Sequence, residues 1–117
     1  MRSERVRFAD FEADLASGEL WRQGKEVKVR YQPFRFLELL TRHAGDIVSY
    51  QEIDQALWPG VYSPYPKERI KVAVKSLRRA LQDDEGRFEI VECLPKRGYR
   101  LRYSVAWEPT EQTQQAA

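Results

Sequence analysis

KERIKVAVKSLRRAL, residues Lys67 to Leu81, carries two faces of opposite character. On a helix turning about 100° per residue, Ile70, Val74, Leu77 and Leu81 fall within a band of roughly 60°, a stripe that seeks a core. Ala73 and Ala80 flank it and are small enough to let a neighbouring helix approach. Glu68, Val72, Lys75 and Arg79 lie on the opposite side, with Lys71 and Ser76 beside them. Val72 therefore points outward among cations. A lone exposed valine is ordinary on any surface. In a DNA major groove, however, thymine methyl groups lie beside phosphates, and an aliphatic group among lysines suits both.

The segment C-terminal to this helix decides between a solvated face and a binding face. FEIVECL (88–94) and YRLRYSV (99–105) flank Pro95-Lys96-Arg97-Gly98, a hairpin signature with a cationic tip. Upstream, the period of three and four set by Phe34, Leu37 and Leu40, with Phe36 and Leu39 on one flank, predicts a helix from Tyr31 to Ala44. Pro33 is compatible with its first turn and Gly45 ends it. Ser49 and Glu52 form a capping box for a second helix, with Ile53, Ala56 and Leu57 on its buried side, and Trp58-Pro59-Gly60 stops it. WPGVYSPYP, 58–66, is a proline-stiffened loop, read either as a connector with packed aromatics or as a protein-contact surface displaying Tyr62 and Tyr65. Before the first helix, RVRFA, FEADL, LWRQ and EVKVRY read as short strands of an antiparallel sheet, punctuated by Gly18 and Gly24.

Composition bounds the rest. At 117 residues and 42% hydrophobic content the chain buries one modest core. No apolar run reaches eighteen residues, so no membrane contact by this segment is expected, and MRSERVRFADFEADL lacks a secretory core. One cysteine, Cys93, and one histidine, His43, make neither an internal disulfide nor a zinc cluster. The net charge of +2 is unevenly spread: 67–102 holds eleven Lys/Arg against six Asp/Glu, and the remainder nine against twelve. That asymmetry points to a polyanionic partner for the C-terminal half.

Three helices, the last one basic, followed by a basic-tipped hairpin make an α+β winged helix-turn-helix. It has an N-terminal antiparallel sheet and a C-terminal β-hairpin wing. The expected domain is 1–106, with 107–117 a polar linker or tail. FRFLELL, IVSYQEIDQALWPG, IKVAVKSLRRAL and PKRGYRL together resemble the OmpR/PhoB-type effector domain of bacterial transcriptional regulators, over about residues 5 to 104. They most resemble the subgroup with an N-terminal effector domain and no receiver domain, whose full-length members include membrane-anchored proteins. The resemblance implies a recognition helix at 66–82 in the major groove, where Arg69, Val72, Lys75, Ser76 and Arg78 approach DNA. It further implies a wing at 95–98 that brings Lys96 and Arg97 to the minor groove, and a backbone contact by Trp58. Loop 59–65 matches the segment some members use to touch RNA polymerase. Glu68 and Ser76 stand where many relatives carry arginine, and Pro95 replaces a basic wing residue, which alters the expected sequence preference. Glu68 near phosphates repels unless it pairs with Lys71 or accepts from a cytosine amino group.

The expected activity is non-catalytic, cytoplasmic binding of double-stranded DNA for transcriptional regulation. Lys67, Lys71, Arg79, Lys96 and Arg97 attract phosphate, while Val72, Lys75, Ser76 and Arg69 read base edges. Self-association is expected on repeated DNA sites, and the oligomeric state away from DNA is left open. The alternative is a winged helix used for protein–protein contact. An enzyme is not expected: no G-x-S-x-G, Walker loop or H-E-x-x-H occurs, no cofactor is implied, Asp83-Asp84-Glu85 reads as a solvated turn, and Cys93 as a packed strand residue.

Overall fold

A computed structural model of the chain describes residues 4–83 and 88–108. Four strands open it: β1 (Arg5–Phe8), β2 (Phe11–Asp14), β3 (Glu19–Arg22) and β4 (Lys25–Val27). Then come α1 (Tyr31–Arg42), β5 (Val48–Ser49), α2 (Tyr50–Leu57) and α3 (Pro66–Ala80), and finally β6 (Val91–Leu94), β7 (Gly98–Leu101) and β8 (Ala106–Trp107). The sheets run β4-β3-β2-β1-β8 and β5-β7-β6, all pairs antiparallel. This is the expected α+β winged helix. Among the described residues, no helix is long and apolar enough to cross a membrane.

Two strands exceed the expectation. β5 adds a third strand to the wing, Val48 opposite Tyr99 and Ser49 opposite Gly98. β8 returns the chain to the N-terminal sheet, with Trp107 opposite Val6 and Glu108 N–H donating to the Arg5 carbonyl at 3.0 Å. The boundary expected after 106 thus falls inside a strand, and 109–117 lie outside the described residues.

The helices form where the apolar period put them. Phe34, Phe36, Leu37 and Leu40 of α1 are buried, as are Ile53 and Leu57 of α2 and Ile70, Val74 and Leu77 of α3, in one core with Val6, Phe8, Phe11, Ala13 and Leu20 of the N-terminal sheet. The capping box closes α2 reciprocally: Glu52 N–H donates to Ser49 Oγ at 3.1 Å, and Ser49 N–H to Glu52 Oε1 at 3.0 Å. α3 ends at Ala80, two residues before the expected Gln82, because Gln82 turns to φ +55° and Asp83 N–H donates to the Arg78 carbonyl at 2.7 Å. Leu81 still completes the stripe, fully buried as the C-cap.

Asp83 corrects the reading of a solvated acidic turn. It is buried, with Oδ1 accepting from Glu89 N–H at 2.7 Å and Oδ2 from Ile90 and Val91 N–H at 3.0 Å each. One carboxylate thus seals the backbone where the chain leaves α3 and enters the wing. Asp84 and Glu85 lie outside the described residues.

Candidate nucleic-acid interface

α3 presents its outer face to solvent with Lys71, Val72, Lys75 and Arg79 exposed and Ser76 half-buried beside them. Val72 is 71% exposed, far more than an aliphatic residue with an internal packing role. Lys67, one turn earlier, holds Nζ 4.9 Å from the Tyr50 ring centroid. Lys71 Nζ lies 3.9 Å from Glu68 Oε2, with both side chains largely in water, so the pair the spacing suggested is present and weak. At the wing, Arg97 N–H donates to the Leu94 carbonyl at 2.9 Å, and Lys96 adopts φ +68°. This tight turn exposes Lys96 and Arg97 together.

The cations divide by partner. Arg5, Arg22, Arg35, Arg42 and Arg100 pair with carboxylates at 3.1 Å or less. Lys75, Arg79, Lys96 and Arg97 have no carboxylate partner among the described residues. A surface that spends its acids elsewhere and leaves these four free attracts a polyanion.

Arg69 and Arg78, both expected to approach DNA, are engaged inside the protein. Arg69 Nε donates to Asp54 Oδ1 at 2.8 Å and Nη2 to the Val61 carbonyl at 2.6 Å, and its guanidinium covers the Trp58 ring at 4.6 Å. It ties the first turn of α3 to α2 and to the loop after α2. Arg78 donates twice to the Val91 carbonyl, at 2.8 and 3.2 Å, and lies 3.8 Å from the Phe88 ring centroid. Nε and one Nη of each guanidinium are spent on neighbouring groups, a use that helical spacing does not reveal. Trp58, half-buried under Arg69, ends α2. Arg69→Ala is expected to destabilise the fold by about 1–3 kcal/mol through the abandoned carbonyl and carboxylate, seen in chemical denaturation followed by tryptophan fluorescence. Unchanged stability with abolished duplex binding would return Arg69 to the DNA.

The loop between α2 and α3 displays Val61, Tyr62 and Tyr65, of which Tyr62 is 87% exposed. Tyr99 of the RGYR sequence is instead a core residue, edge-on to Phe36 and to Tyr50 with centroids 5.5 and 5.8 Å apart. Burial pushes its phenol up to about 12, so it stays neutral. Cys93 lies on β6 as expected but is exposed rather than packed, with Sγ 3.9 Å from the Tyr50 hydroxyl. His43 caps the C-terminus of α1 in solvent. Two exposed residues the sequence reading passed over, Arg30 and Tyr31, stand beside Val72 and Ser76. The only sequence signal for them was a cation and an aromatic at the start of a helix.

The comparisons agree with this geometry. A family model described as "Transcriptional regulatory protein, C terminal" matches residues 24–101. The chain is 31% identical over 93 residues to the transcriptional regulatory protein CutR of Streptomyces coelicolor, covering 80% of this chain and 41% of CutR. The DNA-binding domain of Escherichia coli CadC superposes with a TM-score of 0.77 at 22% identity, covering 92% of this chain and all of that one. The Klebsiella pneumoniae RstA DNA-binding domain, solved with the RstA box, gives a TM-score of 0.74 at 22% identity, covering 83% and 95% of the two chains. The chain spans less than half the length of the curated relatives it matches.

Proposed function

We infer that this chain, which belongs to the family of transcriptional regulators with an OmpR/PhoB-type C-terminal DNA-binding domain, is a sequence-specific reader of double-stranded DNA for transcriptional regulation. The observation that carries the reading is the free cationic surface: Lys75, Arg79, Lys96 and Arg97 without carboxylate partners among the described residues, the first two on the same outward helix face as the exposed Val72.

α3 enters the major groove with that face foremost. Lys67, Lys71, Arg79, Lys96 and Arg97 neutralise phosphates and release counterions, so affinity falls with salt. Lys75, Val72 and Ser76 reach base edges and thymine methyls. The wing turn meets the adjacent minor groove. Glu68, held near Lys71, leaves the phosphates of that flank to the lysine. Arg69 and Arg78 act as positioning residues, the first fixing the loop and the second the wing relative to α3. No step of chemistry is involved, and the site of action is the cytoplasm, where bacterial DNA lies. The exposed Val61, Tyr62 and Tyr65 support a contact between loop 59–65 and RNA polymerase, and copies of the domain pair on repeated sites.

Lys75→Ala tests the reading. Its affinity for a site enriched from randomised duplexes should fall by about 1–3 kcal/mol, with a much smaller loss on random DNA. Equal losses on both would remove its base-reading role. Failure of the wild type to bind any duplex at low salt would leave a protein-contact module, with the tyrosine loop as its surface.

A further inference from the structure

We propose that a groove on the flank of α3 away from the wing is a second phosphate-holding surface. In it Lys28 and Arg30, on the link from β4 to α1, act with Arg79 on the opposite DNA strand from the one the wing side grips. This inference rests on the DNA-binding reading and extends it to residues outside the helix-turn-helix and wing.

Four observations carry it. The groove is lined by Arg22, Lys28, Arg30, Ser76, Arg79 and Gln82 over a floor of Val27, Val29 and Ala80, and no carboxylate lines it. Its cations differ in availability. Asp10 takes Arg22 at 2.7 Å, and Glu26 reaches Lys28 only at 4.0 Å with the lysine 92% exposed. Arg30 and Arg79 have no carboxylate partner among the described residues. The groove is also continuous with the reading face, since Arg30 and Ser76 line the adjoining hollow that holds Tyr31, Trp58 and Val72. Lastly, Arg30 is the N-cap of α1, where no side chain caps the first amides and no acid stands in the first turn. The positive end of that helix is therefore left without a neutralising group of its own.

The geometry of the major groove supplies the rest. A helix about 10–12 Å across fills a groove about 12 Å wide, so a sugar–phosphate backbone runs along each of its flanks. On the wing side α3 offers Lys71 to one backbone. The other backbone passes the groove of Lys28 and Arg30, and Arg79 at the crest faces both. Phosphate is the chemistry recognised, and its source is the duplex rather than a small phosphorylated molecule.

The test is the double variant Lys28→Ala/Arg30→Ala in the full chain, compared with wild type on an enriched site and on random duplex from low to physiological salt. Both side chains are exposed, and circular dichroism checks that the variant keeps its fold. Affinity should fall by the same factor on both DNAs, and the slope of log Kobs against log salt should flatten by about 1–2, one phosphate contributing roughly 0.9. Lys28→Arg/Arg30→Lys, which keeps the charge, should restore most of the slope. A wild-type slope that the double variant leaves unchanged overturns the groove while leaving the DNA reading intact. No wild-type binding to either duplex overturns both. Titration with inorganic pyrophosphate separates the sources: saturable binding lost in the double variant, with duplex affinity unaltered, makes the groove a small-anion site and overturns the proposal.

Discussion

Gly98→Ala should melt about 15 °C or more below the wild type and lose the wing before the rest of the domain. A Cβ at residue 98 would stand 1.9 Å from the Val48 carbonyl oxygen, 2.8 Å from its carbon and 3.0 Å from Ser49 Cα. All three are backbone atoms of β5, and Ser49 is also the N-cap that starts α2, so the partner strand has nowhere to retreat. The residue further holds φ +151°, which L side chains rarely adopt. Overpacking costs about 1–3 kcal/mol and the forced backbone a similar amount, together roughly 3–5 kcal/mol. In a domain of this size each kcal/mol moves Tm by about 4–8 °C. Gly18→Ala is the control. Gly18 has φ +80° but nothing within 4 Å of the added carbon, so its cost is the backbone term alone, about 1–2 kcal/mol. Differential scanning calorimetry on both variants isolates the steric contribution. Equal melting of the two would mean that β5 yields, and that the wing carrying Lys96 and Arg97 is free to shift against α2. Since β7 links the wing tip to β5, duplex affinity measured below the transition should also fall for Gly98→Ala and stay near wild type for Gly18→Ala.

The elements legible in the sequence were those that repeat a physical signal over several residues. Ile70, Val74, Leu77 and Leu81 announce a buried stripe four times over, and all four are buried. Ser49 and Glu52 announce a helix start by a reciprocal bond that needs only their spacing, and Pro95 to Gly98 announce a turn by local backbone preference. β5 and β8 have two residues each, too few for any period, and exist only because β7 and β1 offer free edges. The same division runs through the candidate interface. That Lys71, Val72, Lys75 and Arg79 share an outward face follows from 3.6 residues per turn. The fates of Arg69 and Arg78 depend on Asp54, Val61 and Val91, residues 15, 8 and 13 positions away. Periodicity says which way a long side chain leaves its helix, and only the tertiary structure says where its guanidinium comes to rest.

Asp83 extends that lesson to a residue whose type misled, and Asp83→Ala carries the second large expected effect. A carboxylate in an acidic cluster after a helix ordinarily stays in water. Here it is 6% exposed and accepts three backbone N–H groups, from Glu89, Ile90 and Val91. Alanine leaves those donors without their acceptor, the last two in buried positions, at about 1–3 kcal/mol for each buried group. The resulting loss is roughly 3–5 kcal/mol, near the upper end for a single substitution. The damage should be local first. Val91 is gripped from both ends by this region, its N–H by Asp83 and its carbonyl by Arg78 of α3, so the pair sets where the wing emerges relative to the recognition helix. Hydrogen exchange should therefore rise most at Glu89, Ile90 and Val91, and spread next into β6 rather than into the N-terminal sheet. Asp83→Asn keeps one acceptor oxygen and replaces the other with a donor facing backbone N–H groups. It should fall between wild type and alanine, closer to alanine. In the folded fraction, duplex affinity should drop although Asp83 touches no DNA, because Lys96 and Arg97 lose their fixed distance from Lys75. If Asp83→Ala unfolds at the wild-type denaturant midpoint, water has replaced the carboxylate without cost, and the coupling between recognition helix and wing rests on Arg78 alone.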